Sequence, residues 1–223
     1  MFLMSETYTG QIPEGAEMKV HRYMTGSLMV NTYLAYDETK KAFIVDPGGY
    51  EQRLADIVRS EGVDIEYILL THGHADHIGG VERYKEEYPD AKVVCSKDEV
   101  QTLQDPRLNI SGMMGMQISI APDITVGEGE TLECGSMKMK FVMTPGHSPG
   151  GMCIIMEGED VVFSGDTLFC QSIGRTDFPG CSFEALINSI REKLFVLPDE
   201  TVVYPGHMGE TKIGFEKKYN PFL

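Results

Sequence analysis

The chain has 223 residues, 42% of them hydrophobic and 24% charged, with 34 acidic against 19 basic side chains and a formal net charge of −15. Such a chain has an ordinary globular composition and can bury a sizeable core. Its charge opposes phosphate backbones and anionic membranes, so neither nucleic acid nor a membrane is expected as a partner.

No apolar run reaches the roughly 18–20 residues of a membrane helix. The start, MFLMSETYTGQIPEG, lacks the basic and long apolar regions of a signal peptide. Cysteines 95, 134, 153, 170 and 181 are odd in number and form no CxxC pair. They read as reduced thiols, several of them in the core, and a cytoplasmic chain is expected. With no repeat, low-complexity tract or linker, one domain over residues 1–223 is expected.

Strands are predicted first, at MKVHRYM (18–24), VNTYLAY (30–36) and KAFIVD (41–46). PGGY breaks the chain. EQRLADIVRSEG (51–62) has helical spacing at 54, 57 and 58 and stops at Gly62. IEYILL (65–70) has the length of a buried strand, GGVERYKEEYPD (79–90) reads as a helix ending at Pro89, and AKVVCS (91–96) as a strand. A short helix SKDEVQTL follows, with Ser96 as N-cap and Glu99 completing a capping box. Residues 104–130 are less regular and include NISGMMGMQ. They read as a loop over the site, whose methionines fill core gaps rather than touch substrate. Strands follow at 137–143, 152–157 and 160–166, then a helix at 183–195, a strand at 201–205 and a tail whose Lys217 and Lys218 form a solvated face. This rhythm indicates an α/β protein.

THGHADHIGG (71–80) holds half of the six histidines and follows a predicted strand. Four polar groups at one strand end need partners. His72 and His74, two apart, point the same way in an extended segment, while Asp76 and His77 come after a turn. That suits two adjacent metal ions. His147 in TPGHSPGG, Asp166 in VVFSGDTLF and His207 in VVYPGHMGE also sit at strand ends, where α/β proteins build their sites. His21 fits no such pattern and is read as structural.

HxHxDH followed by a lone His, an Asp and a His resembles the metallo-β-lactamase superfamily in residue type and order. SGDTLFCQSIGRTDFPG (164–180) is similar to its compact glyoxalase II-like branch, the hydroxyacylglutathione hydrolase relatives. The resemblance implies an αββα sandwich, two mixed sheets with helices outside. It implies that His72, His74 and His147 bind one metal, that Asp76, His77 and His207 bind a second, and that Asp166 bridges them. Asp46, in VDPGG, is similar to the aspartate that orients a ligand histidine there. Arg175 in GRTDF is read as a contact to a substrate carboxylate or, preferentially, as the partner of Asp177.

Nitrogen and carboxylate ligands suit Zn²⁺ above all, with Fe²⁺ or Mn²⁺ as alternatives. Two dications less Asp76, Asp166 and a bridging hydroxide leave a net positive site, matched to a small anionic substrate. The expected function is hydrolysis of a small-molecule ester or thioester by metal-bound hydroxide, with Asp76 in the catalytic apparatus. The chain ends 16 residues after His207, so no glutathione-binding helical domain is expected and the thiol is left open. A mononuclear iron persulfide dioxygenase, which shares the GRTDF stretch, and a lactonase are the alternatives. A true β-lactamase is disfavoured because Asp166 stands where a cysteine is expected. A nuclease is disfavoured by charge, and a non-catalytic binding domain by the full ligand set.

Overall fold

The computed structural model describes residues 7–8, 18–178 and 180–223. The leader reading of the first residues therefore falls almost wholly outside the described residues. A seven-stranded sheet takes β1 (Thr7–Tyr8), β2 (Lys19–Thr25), β3 (Val30–Tyr36), β4 (Lys41–Val45), β5 (Asp64–Leu69), β6 (Lys92–Ser96) and β7 (Ile124–Val126) in chain order. Its first four strands are antiparallel and its last four pair in parallel. A six-stranded sheet uses β8 (Thr131–Cys134), β9 (Met137–Met143), β10 (Met152–Met156), β11 (Val161–Gly165), β14 (Val202–Pro205) and β15 (Thr211–Lys212), in the order β15-β14-β11-β10-β9-β8. β12 (Leu168–Phe169) and β13 (Ser172–Ile173) form a small hairpin.

Period-two patterning decides which face each residue serves. Tyr33, Ala35, Phe43 and Val45 point inward and meet Phe141, Ile154, Met156 and Phe163 of the other sheet. Phe163 is fully buried, with ring centroids 5.3 Å from Tyr33, 5.9 Å from Phe43 and 5.4 Å from Tyr204. The alternate residues Leu34, Tyr36, Ala42 and Ile44 face outward and are covered by α1 (Gln52–Glu61), α3 (Val81–Glu87) and α4 (Val100–Gln104) through Leu54, Val58, Val81, Tyr84 and Leu103. Across the molecule, Cys153, Val162 and Val203 are covered by α5 (Phe183–Ser189) and α6 (Ile213–Tyr219) through Leu186, Ile187 and Ile213. The layers are helix, sheet, sheet, helix, and the apolar burial between them is the main stabilising term.

Local signals explain the ends. Glu51 accepts the Arg53 N–H at the start of α1, and Gly62 at its end adopts a left-handed φ of 64°. The helix predicted at 183–195 is α5, continuing as a π turn over Ile190–Leu194. All five cysteines are free, and Cys95, Cys134 and Cys153 are buried. His21 stacks on Tyr36, 5.7 Å between centroids.

Three expectations are corrected. Ser96 and Glu99 form no capping box: Ser96 makes no side-chain cap bond and its hydroxyl donates to the Gly150 carbonyl, while Glu99 is buried among other partners. Residues 104–130 are not wholly irregular, since β7 lies within them and pairs with β6. Their methionines do not fill the core, because Met113 is 81% exposed and Met116 is exposed as well. Lys217 and Lys218 are exposed, as expected, and lie on helix α6, whose Glu216 is buried and accepts the Gln171 N–H at 2.9 Å.

Candidate metal centre

The fold gathers loops from both sheets at one edge. β5 ends at Leu69, and Thr71 follows, its carbonyl accepting the Met152 N–H of the second sheet at 2.9 Å. His72 and Gly73 follow in the loop, and His74 is extended. Asp76 and His77 then sit on the single-turn helix α2 (Ala75–Ile78). His147 lies between β9 and β10, Asp166 directly after β11, and His207 after β14. All seven sequence-predicted ligand residues therefore converge. His72 and His77 are buried, and His207 faces the solvent side, half-buried.

Hydrogen bonds fix which imidazole nitrogen points inward. Asp46 accepts from the Thr71 N–H (2.8 Å), the Thr71 hydroxyl (2.6 Å) and His77 Nδ1 (2.9 Å). His77 Nε2 is thereby left with its lone pair, 3.3 Å from Asp166 Oδ1 and 3.7 Å from Asp76 Oδ2. The Thr71 hydroxyl, having given its proton to Asp46, accepts from His72 Nδ1 at 3.1 Å, which frees His72 Nε2. His147 Nδ1 donates to the Arg175 carbonyl at 2.8 Å, which frees His147 Nε2. His147 Nε2 lies 3.2 Å from His72 Nε2 and 2.9 Å from His74 Nδ1. Asp166 Oδ2 is 3.5 Å from His147 Nε2 and 3.8 Å from His207 Nε2, and Asp76 Oδ2 is 3.2 Å from His207 Nε2.

Among the described residues, three groups of donors could hold a cation: His72, His74 and His147; Asp76, His77 and His207; and Asp46, His72 and His77. The donor chemistry fits divalent ions. Lone pairs of buried imidazoles aimed at one point repel unless a cation lies among them. His77 Nε2 and Asp166 Oδ1, both buried, make no hydrogen bond, an arrangement that is costly unless another partner is supplied. In the third group, both oxygens of Asp46 are already engaged by Thr71 and His77. Its backbone is also held in the left-handed region, φ 47°, with its carbonyl accepting the Thr32 hydroxyl at 2.8 Å.

The electrostatics divide the histidines. Burial, and then the positive charge at His77, pushes His72 well below the ordinary imidazole range. Burial, and then His147, takes His74 down to about 3, and burial lowers His147 too. His77 goes the other way: burial opposes its charge, but Asp166, Asp76 and Asp46 overcome it and raise its pKa well above the usual range, so a positive charge, a proton or a metal ion, is favoured at the Nε2 lone pair. Burial likewise opposes ionisation of Asp166, and His77 and His147 overcome it. The carboxylate side of the site therefore demands a positive charge.

Arg175 does not send its guanidinium to the centre. That group forks onto Asp177 at 2.7 Å through both nitrogens and stacks on Phe178, 4.0 Å from the ring centroid. It is the Arg175 carbonyl that reaches the site. Phe178 in turn packs edge-on against His74, 5.5 Å between centroids. Thr71 and Glu99 escaped the sequence reading. Thr71 precedes the histidine cluster directly, which is a usable signal. Glu99 contacts residues far away in the chain, and no local pattern marks it.

The model of the metallo-beta-lactamase superfamily matches residues 25–207, which span the whole constellation. The chain belongs to the metallo-beta-lactamase superfamily. It is 36% identical over 196 residues to hydroxyacylglutathione hydrolase GloC of Haemophilus influenzae, covering 86% of this chain and 92% of that one. Among solved structures, it is similar to the BLEG-1 B3 metallo-beta-lactamase, with a TM-score of 0.86 at 38% identity over 92% of this chain and 99% of the other. It is also similar to TTHA1623 in a di-iron-bound form, with a TM-score of 0.79 at 33% identity over 91% and 99%. Members of this superfamily are in general metal-dependent hydrolases.

Proposed function

We propose that this chain is a hydrolase with a binuclear metal centre that cleaves a small-molecule thioester. The observation that carries the proposal is the placement of Asp166, with Oδ1 toward His77 and Oδ2 toward His147 and His207. One carboxylate thus reaches both donor groups. In this reading His72, His74 and His147 hold one ion and Asp76, His77 and His207 the other, with zinc favoured over iron or manganese. Bound there, the ions would supply Lewis acidity toward the carbonyl and water acidic enough to attack at neutral pH.

The chain's own residues supply the rest. Asp46 holds the tautomer of His77, and the Arg175 carbonyl holds that of His147. Burial keeps His72, His74 and His147 neutral and ready to donate. Asp76, beside half-exposed His207 at the open side, is the carboxylate we assign to the attacking water. A thiolate leaves without strong acid assistance, so no further proton donor is required. The likeness to GloC supports a thioester. The free cysteines support a reducing, cytoplasmic setting.

The test is turnover of a panel of thioesters by the metal-loaded protein, following thiol release. Thioester cleavage abolished by a chelator and restored by zinc, iron or manganese is the expected result. Oxygen uptake with a persulfide in its place would overturn the reading. β-Lactam hydrolysis is the second reading, favoured by the likeness to BLEG-1, and turnover of β-lactams without thioesters would establish it instead.

A further inference from the structure

Glu99 lies in the tight turn Lys97–Glu99 after β6 and is fully buried. Its Oε1 accepts the Gly73 N–H at 2.9 Å. Its Oε2 accepts the Gly150 N–H at 2.7 Å and the Ser148 hydroxyl at 3.2 Å. Gly73 stands between His72 and His74, and Ser148 follows His147. One carboxylate therefore ties together the two loops that carry the three-histidine group, and those loops come from different sheets. The fit is close: a Cβ on Gly150 would collide with the Glu99 backbone nitrogen, and the Ser96 hydroxyl caps the Gly150 carbonyl.

Charge adds to geometry. The partners of Glu99 are neutral dipoles, which makes a buried carboxylate expensive. Burial raises its pKa, while the Gly73 and Gly150 N–H groups and the Ser148 hydroxyl favour the carboxylate, whose charge lies directly behind loops whose imidazoles offer lone pairs to a cation. A glutamine of the same shape would keep neither property. Its amide NH₂ must face either the Gly73 N–H or the Gly150 N–H, donor against donor, so one side of the clamp opens.

We propose that Glu99 is a positioning residue for the His72, His74 and His147 group, holding its two loops at the spacing a single divalent ion needs, as Asp46 does for His77. The inference rests on the metal reading above, and its test reads metal affinity rather than turnover.

Metal-free protein is titrated with zinc against a chromophoric chelator in two backgrounds. His207→Ala leaves the three-histidine group intact, and His147→Ala leaves the Asp76 and His77 group. Glu99→Gln is expected to weaken zinc binding about tenfold or more in the His207→Ala background and to leave it nearly unchanged in the His147→Ala background. Ser148→Ala, which removes one donor and spares both backbone bonds, is expected to shift affinity in the same selective direction by less. It stands in if Glu99→Gln does not fold. Equal weakening in both backgrounds, or none in either, overturns the role of Glu99 while the metal centre stands. Wild-type protein that takes up no zinc overturns the metal reading, and this proposal with it.

Discussion

Asp46 Oδ2 lies 2.9 Å from His77 Nδ1, although the two residues are 31 positions apart. The bond turns His77 Nε2 toward Asp76 and Asp166 and fixes it as a lone-pair donor. Asp46→Asn would present an amide to a ring N–H or to the Thr71 hydroxyl. It is expected to lower metal affinity by about 10–100-fold, with thioester turnover falling in parallel at limiting metal. Chelator competition on wild type and variant measures the first effect. Unchanged affinity would show that His77 does not depend on Asp46.

Gly206 precedes His207, and a Cβ there would overlap Asp166 Oδ1 and His77 Cε1. Gly206→Ala is therefore expected to push the Asp166 carboxylate off its place between the two donor groups and to lose metal retention. The far core, with Phe163 against Tyr33 and Phe43, should be untouched. Near-native far-UV circular dichroism with metal content below that of wild type is the expected outcome. Full metal content would mean that the site tolerates the displacement.

Much of this was legible in the sequence because its causes are local. β-Branched and aromatic residues near turn signals in VNTYLAY and KAFIV mark strands, and the helix over 52–61 follows from its spacing and from Gly62. The histidines were legible because loops at strand ends collect them. What escaped depends on distance in space. Glu99 looks like a capping residue within SKDE, yet its partners are 26 and 51 positions away. β7 is too short to show a period and exists through pairing with β6. α6, absent from the sequence reading, is anchored by the burial of Ile213 and Glu216.

At the opposite end of the sandwich, Asp37 joins the two sheets. It accepts from the Thr39 N–H at 2.9 Å and the Ser136 N–H at 2.7 Å, and from both hydroxyls. Burial opposes its ionisation, but the bonds from Ser136 and Thr39 prevail and hold it below the ordinary value of 3.8. A carboxyl depressed in the folded state adds stability above its unfolded pKa and loses it as pH falls through the folded value. Asp37→Asn is expected to cost about 1–3 kcal/mol at pH 7, with the gap to wild type closing below pH 3.8. Denaturant melts at several pH values check this; a gap that widens in acid would refute it.

Arg175 engages Asp177 and Phe178 through its side chain and His147 through its carbonyl. Arg175→Ala keeps the carbonyl. Since exposed ion pairs contribute only about 0–1 kcal/mol, kcat is expected to stay close to wild type. A large rise in KM for anionic thioesters alone would instead make the guanidinium a substrate contact.

Metal content per chain, measured by elemental analysis on protein purified without added metal or chelator, tests the two-ion reading most directly. About two equivalents of zinc, iron or manganese are expected, falling to about one in His147→Ala and likewise in His207→Ala. A single iron per chain, unchanged by His207→Ala, would contradict the binuclear centre and point to oxygen chemistry at the three-histidine group.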